Sequence, residues 1–234
     1  MTTIEKNLLS VHKRIAAACS AAGRAPGAVE LLAVSKTFDA QAVKQAFAAG
    51  QRAFGENYIQ EAVQKIVELR TLALQWHCIG PIQSNKTRLV AEHFDWVHTV
   101  DRLKTAQRLS EQRPAHLAPL QVCIQVNVDG GASKSGVPPG DALALAQQVA
   151  ALPNLRLRGV MSIPEPASDF TSASALFARV KAVFDELNAA GLALDTLSMG
   201  MSADLEAAIA SGSTMVRVGT AIFGGRPKVT ALDA

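Results

Sequence analysis

Along the chain, short apolar runs alternate with longer stretches in which apolar residues recur every three or four positions. Residues 2–20 set Ile4, Leu8, Val11 and Ile15 at helical spacing, and Thr2 followed by Glu5 has the form of a capping box. Gly23 and Pro26 close that helix. Leu31-Leu32-Ala33-Val34-Ser35-Lys36 then reads as a buried strand, and a helix runs from Asp39 as N-cap to Ala49, with Gly50 as its stop. The pattern predicts further strands over 53–55, 75–79, 96–99, 120–128, 155–163, 194–198 and 215–218. Between them it predicts a helix with Ile59, Val63, Ile66 and Leu69 on one face, and helices over 84–91, 101–113 and 139–151. A stripe of Leu176, Val180, Val183 and Leu187 ending at Gly191, a helix over 202–210, and a short helical turn after the last strand complete the alternation.

Repeated strand–helix units imply parallel strands, and eight of them close most economically into a (β/α)8 TIM barrel. The expectation is a single α/β domain over residues 1–234 with an extra N-terminal helix. An open doubly wound sheet is the alternative, weakened because no G-x-G-x-x-G follows the first strand.

Composition narrows the function classes. With 49% hydrophobic residues, a chain of 234 can build a sizeable core. The net charge of +3 is scattered and aromatics are only 5%, which points away from nucleic acid and membrane surfaces. Cys19, Cys78 and Cys123 form no C-x-x-C pair and the five histidines show no ligand spacing, so neither a disulfide framework nor a metal site is expected. Charged residues from Glu5 to Arg14 break any signal peptide and no segment approaches membrane-spanning length, so a cytoplasmic protein is expected.

In a barrel all strands end on one face, where Lys36, Glu56-Asn57, His77, His98, Asn127, Met161-Ser162, Met199–Ser202 and Arg217–Thr220 would converge. Lys36 is either a solvated strand terminus or an amine of lowered pKa that can form a Schiff base. The loops after strands seven and eight form the usual phosphate site of such barrels. Here Gly200 and Gly219 permit close backbone approach, and Ser202 and Thr220 supply hydroxyls, although Ser202 would also serve as an N-cap. A phosphate site opposite a strand-one lysine is what pyridoxal 5′-phosphate (PLP) needs, with Arg217 placed to face the pyridine nitrogen. An arginine there keeps that nitrogen neutral and the ring a weak electron sink.

Residues 32–37 (LAVSKT), 54–61 (FGENYIQE), 76–86 (WHCIGPIQSNK), 133–136 (SKSG), 197–204 (LSMGMSAD) and 214–224 (TMVRVGTAIFG) resemble the pyridoxal phosphate homeostasis proteins over essentially the whole chain. These are single-domain relatives of the alanine racemase N-terminal barrel, of fold type III. The resemblance implies Lys36 as the Schiff-base lysine and Ser202, Gly219 and Thr220 as phosphate ligands, with Gly200 and Met201 shaping that loop. It further implies Arg217 at the pyridine nitrogen, Asn57 beside the ring, and Ile79 and Met161 as walls. Lys134 is either a second, transient cofactor lysine or an ordinary loop lysine, the latter preferred. Trp76 and His77 are expected to pack and hydrogen-bond. Family precedent implies a monomer that supplies PLP to apo-enzymes.

Three functions compete: a non-catalytic PLP carrier, a small PLP-dependent amino-acid racemase, and a cofactor-free Schiff-base aldolase acting on a sugar phosphate. Racemisation needs an acid/base on each face of the α-carbon. The only tyrosine, Tyr58, follows Asn57 at a helix start, and no residues remain for a second domain. The carrier is the expectation.

Overall fold

The computed structural model describes residues 1–130 and 135–225; Lys134 lies outside them. The elements run α1 (Thr3–Ala21), β1 (Glu30–Val34), α2 (Ala40–Ala48), β2 (Ala53–Glu56), α3 (Ile59–Glu68), β3 (Gln75–Cys78), α4 (Thr87–His93) and β4 (Trp96–Val100). They continue with α5 (Leu103–Gln112), β5 (Leu120–Gln125), α6 (Pro139–Ala150), β6 (Leu155–Met161), α7 (Phe170–Ala189), β7 (Thr196–Ser198), α8 (Leu205–Ala210), β8 (Met215–Val218) and α9 (Thr220–Phe223). All eight strands are parallel neighbours in chain order and the barrel closes where β1 pairs with β8, Leu32 opposite Arg217.

Capping chemistry acts as the sequence predicts. Thr2 and Glu5 form the reciprocal capping box of α1, and Asp39 accepts from Ala42 N at the start of α2. Strand residues alternate between two apolar layers. Leu31, Ala33, Phe54, Trp76, Val97, Val122, Ile124, Val160, Val216 and Val218 pack outward into the layer shared with the helices. Leu32, Val34, Ala53, Ile79 and Met215 form one cluster and Trp96, Cys123 and Met161 another, both inside the barrel.

Several ends differ from the sequence pattern. The fifth strand stops at Gln125, because Val137 N donates to Gln125 O and Asn127 N to Val137 O, drawing the backbone out of the barrel. Residue 194 is not in β7: its amide and carbonyl are both bonded to the Asn188 side chain of the preceding helix. Helix α8 opens at Leu205 rather than at residue 202. Asp204 folds back to accept from Met201 N, making a turn first, so Ser202 is not an N-cap. Among the described residues no helix is long and apolar enough to cross a membrane, and Cys19, Cys78 and Cys123 are free and buried.

Candidate cofactor site at the barrel mouth

Where the strands end, Lys36 lines a cavity of about 280 Å³ together with Val34, Asn57, Ile79, Ile163, Met201, Ser202, Ala203, Arg217, Gly219 and Thr220. The sequence set these loops opposite Lys36; closure makes β8 the immediate neighbour of β1, so lysine, arginine and glycine loop share one wall.

Two of the expected residues do not line the cavity. Met161 is fully buried against Trp96 and Cys123, beneath the cavity floor. Two residues further on, Ile163 reaches the cavity from the same chain segment, as a period of two requires. Gly200 acts through the backbone: its φ is +94°, a Cβ there would stand 2.4 Å from the Ala208 Cβ, and its carbonyl accepts from Arg217 N at 3.0 Å. It therefore shapes the loop that carries Met201 and Ser202. Val34 and Ala203 also line the cavity and were not singled out from the sequence. Val34 shares the inward parity of Lys36, a signal that was available. Gly219 is tight as well, since a Cβ would lie 3.1 Å from Val34 O.

The turn bearing Lys36 is pinned from outside the barrel. Lys65, on α3, is 5% exposed and its Nζ donates to Ser35 O and Phe38 O, each at 3.0 Å, and to Glu56 Oε1 at 2.6 Å. Ser35 Oγ donates to the same Glu56 oxygen at 2.6 Å, and Thr37 N donates to Glu61 Oε1 at 3.0 Å. Thr37 takes φ +68°, an uncommon conformation for a β-branched residue, which this set of bonds holds in place. Burial pushes the Glu56 carboxyl up, and Lys65 pulls it back. Thus Glu56, expected at the mouth, faces α3 and organises the lysine turn.

The other wall is held differently. Arg217 is 4% exposed and donates from NH1 to Ser198 O (2.7 Å) and Ser198 Oγ (2.8 Å), and from NH2 to Ser162 O (2.9 Å). Burial brings its pKa down to about 10, which leaves it protonated at neutral pH. The leading helix braces the loops beside it. Arg14 pairs with Glu206 at 2.9 Å and donates to Ser202 O at 3.1 Å, and Asn7 Nδ2 donates to Ile222 O at 2.8 Å. The rings of Phe38 and Phe223 meet at 5.2 Å, tying the lysine turn to α9.

Chemically, the lining joins two cations, an amide and two hydroxyls to an apolar remainder, with no carboxylate among the described residues. Such a set suits an anionic ligand with an apolar body. Tyr58, 48% exposed, lines a separate cavity of about 230 Å³ with Gln83 and Lys86, which touches the first only at Asn57.

Fold and site together define a barrel of the alanine racemase N-terminal class, and the sequence matches that family, described as alanine racemase, N-terminal domain, over residues 10–227. A pyridoxal phosphate homeostasis protein of Pseudomonas aeruginosa is 63% identical over 226 residues, covering 97% of each chain. Its counterpart in Escherichia coli is 54% identical over 229 residues, covering 97% of this chain and 98% of that one. The solved structure of PipY from Synechococcus elongatus with PLP bound superposes with a TM-score of 0.82 at 39% identity, covering 94% of this chain and all of the other. Alanine racemase from Corynebacterium glutamicum shares the fold at 20% identity and a TM-score of 0.70. The chain belongs to the pyridoxal phosphate homeostasis protein family.

Proposed function

We propose that this chain binds PLP at the barrel mouth, carries it on Lys36, and serves intracellular PLP homeostasis or supply without robust catalysis. The supporting observation is the cavity that joins Lys36, Arg217 and the Ser202 and Gly219-Thr220 loops, with no carboxylate among its described lining residues. The relative PipY, whose structure holds PLP, adds support from outside the chain.

The residues present fit the group. Gly219 leaves a cradle that a Cβ would crowd, and Ser202 and Thr220 offer hydroxyl donors for a phosphate beside it. Lys36 would provide the amine, Asn57 would hold the ring from the side, and Ile79, Ile163 and Met201, which line the same cavity, would supply its apolar walls. PLP supplies an aldehyde that a lysine amine can hold as an imine with loss of water. Arg217 offers only N–H donors, so it favours an unprotonated ring nitrogen and leaves the ring a weak electron sink.

A racemase needs a second acid/base in the cavity. Tyr58 opens instead onto the neighbouring cavity, so the carrier reading is favoured. We further propose a cytoplasmic monomer that exchanges PLP with apo-enzymes and binds neither nucleic acid nor membrane.

Titration of purified protein with PLP, followed by visible absorption, tests the reading. Wild type should develop a band that Lys36→Ala lacks. A protein that stays colourless would favour a cofactor-free Schiff-base aldolase instead. Alanine racemisation at enzyme-like rates, abolished by Tyr58→Phe, would overturn the non-catalytic reading.

A further inference from the structure

Beneath the cavity, the barrel interior holds two histidines that the proposed binding function does not use. His77 and His98 are both fully buried. They belong to an unbroken hydrogen-bonded line. Gln75 Oε1 lies 3.0 Å from His77 Nε2, His77 Nδ1 lies 2.9 Å from His98 Nε2, and His98 Nδ1 lies 2.9 Å from Ser198 Oγ, which accepts from Arg217. Gln75 begins β3, so the line crosses the barrel from the face opposite the site to the cavity wall.

Hydrogen positions along this line follow from the chemistry of its ends. Arginine has no acceptor, so Arg217 must donate to Ser198 Oγ. Among the described residues the serine hydrogen then has one acceptor, His98 Nδ1. A neutral His98 consequently carries its hydrogen on Nε2 and donates to His77 Nδ1, and His77 carries its own on Nε2 and donates to Gln75 Oε1. The opposite polarity would aim His98 Nδ1–H at the second lone pair of Ser198 Oγ and leave the serine hydrogen with no acceptor among the described residues. The Arg217 end therefore sets the direction, and the Gln75 amide, which can present an oxygen to His77, accommodates it.

We propose that Gln75, His77, His98 and Ser198 form a one-way hydrogen-bond relay whose histidines are positioning residues for Arg217. The relay turns a serine lone pair toward the guanidinium and adds no second charge beside it. Among the described residues, Ser198 and Ser162 use three of the five guanidinium N–H groups, which leaves two for a ligand at the cavity the side chain lines. Cooperative polarisation along the line strengthens each bond.

The surroundings favour neutral rings. Trp96 stacks on His77 at 5.2 Å with planes 9° apart, and Cys123 packs beside that indole. Among the described residues the charged groups nearby are Arg217 at the cavity end, on which Asp204 acts, and Arg158, whose guanidinium sits 4.7 Å over the Trp96 ring and pairs with Asp195 at 2.7 Å. A protonated His98 would face the Arg217 cation and reverse the serine hydroxyl. Burial takes His77 down to about 3, and burial first, then His77 and Arg217, hold His98 well below its ordinary value.

The value of the relay to the site depends on the PLP reading of Arg217, whereas its hydrogen positions are read in ligand-free protein, so the two can fail separately. Nitrogen NMR of the full chain labelled at histidine, with signals assigned through His77→Gln and His98→Gln, should show both buried rings bearing hydrogen on Nε2 and none on Nδ1. That pattern should persist from about pH 8 to about pH 5. A hydrogen on Nδ1 of either ring, or uptake of a second proton by either above about pH 5, would overturn the relay. Side-chain exchange separates positioning from bulk stability. Arg217 N–H exchange should quicken about tenfold in Ser198→Ala and return toward wild type in Ser198→Thr, which keeps the hydroxyl. Equal exchange in wild type and Ser198→Ala would remove the histidines' role in holding Arg217.

Discussion

Two buried cations flank the cavity, and they are held by opposite means. Lys65, behind the Lys36 turn, meets Glu56 at 2.6 Å and Glu61 at 3.1 Å, so its charge is balanced within the protein. Arg217, on the next strand, is held among the described residues by two backbone carbonyls and a serine hydroxyl, backed by neutral histidines. A charge balanced internally serves architecture. A charge hydrogen-bonded only to neutral acceptors, with Asp204 acting on it without a hydrogen bond, is kept in place yet left with field for a ligand. The difference separates the residue that builds the site from the residue that reads what enters it.

The largest effect should come from breaking the balanced side. Lys65→Met leaves Glu56 buried without its partner and releases Ser35 and Phe38, and we expect a loss of about 3–5 kcal/mol in urea unfolding. A loss below about 1 kcal/mol would mean that the pair does not organise the turn.

Acid should act on the other side next. His77 and His98 have folded pKa values depressed by burial, so below about pH 6.5 the unfolded chain takes up protons that the native state refuses. Their contribution to stability is complete above that value and declines as pH falls, for His77 toward about 3, at up to ~1.4 kcal/mol per pH unit for each ring still resisting protonation. Denaturation midpoints measured between about pH 6.5 and pH 5 should fall with roughly half the slope in His98→Gln. An unchanged slope would show that the two rings do not resist protonation.

Removing the unbalanced cation should cost less. For Arg217→Met we expect about 1–2 kcal/mol, from carbonyls at 162 and 198 left without donors, alongside roughly tenfold weaker PLP binding by equilibrium titration. A stability loss as large as that of Lys65→Met would erase the contrast. Smallest of all, Asp39→Ala removes the cap of α2 beyond the lysine turn, an expected cost of about 1 kcal/mol with PLP binding unchanged.

Much of this was legible in the chain. Apolar runs of strand length, spaced by helical stripes and stopped by glycines such as Gly50, led to the barrel. The strand ends led to Lys36, Asn57, Met201, Ser202, Arg217, Gly219 and Thr220, and the family resemblance added Ile79; all of these line the cavity. Met161 was set too high because the sixth strand stops two residues before the pattern ends. The clamp was hidden by its chemistry: α3 buries Lys65 along with Ile59 and Ala62, where an apolar stripe predicts Val63 and Ile66. A lysine reads as solvent-facing until its carboxylate partner nine residues earlier in the chain is seen to turn toward it. Glu56 itself gave no such hint, because its side depends on the register of β2 against β3. The histidine relay was equally out of reach, since Ser198 joins His98 across a hundred residues of sequence.

One experiment bears most directly on the carrier reading. Protein saturated with PLP is reduced with borohydride, digested, and its peptides weighed to locate the added mass. The account predicts the pyridoxyl group on the peptide containing Lys36. Label found instead on Lys65 or Lys86, or no stable label at all, would contradict it.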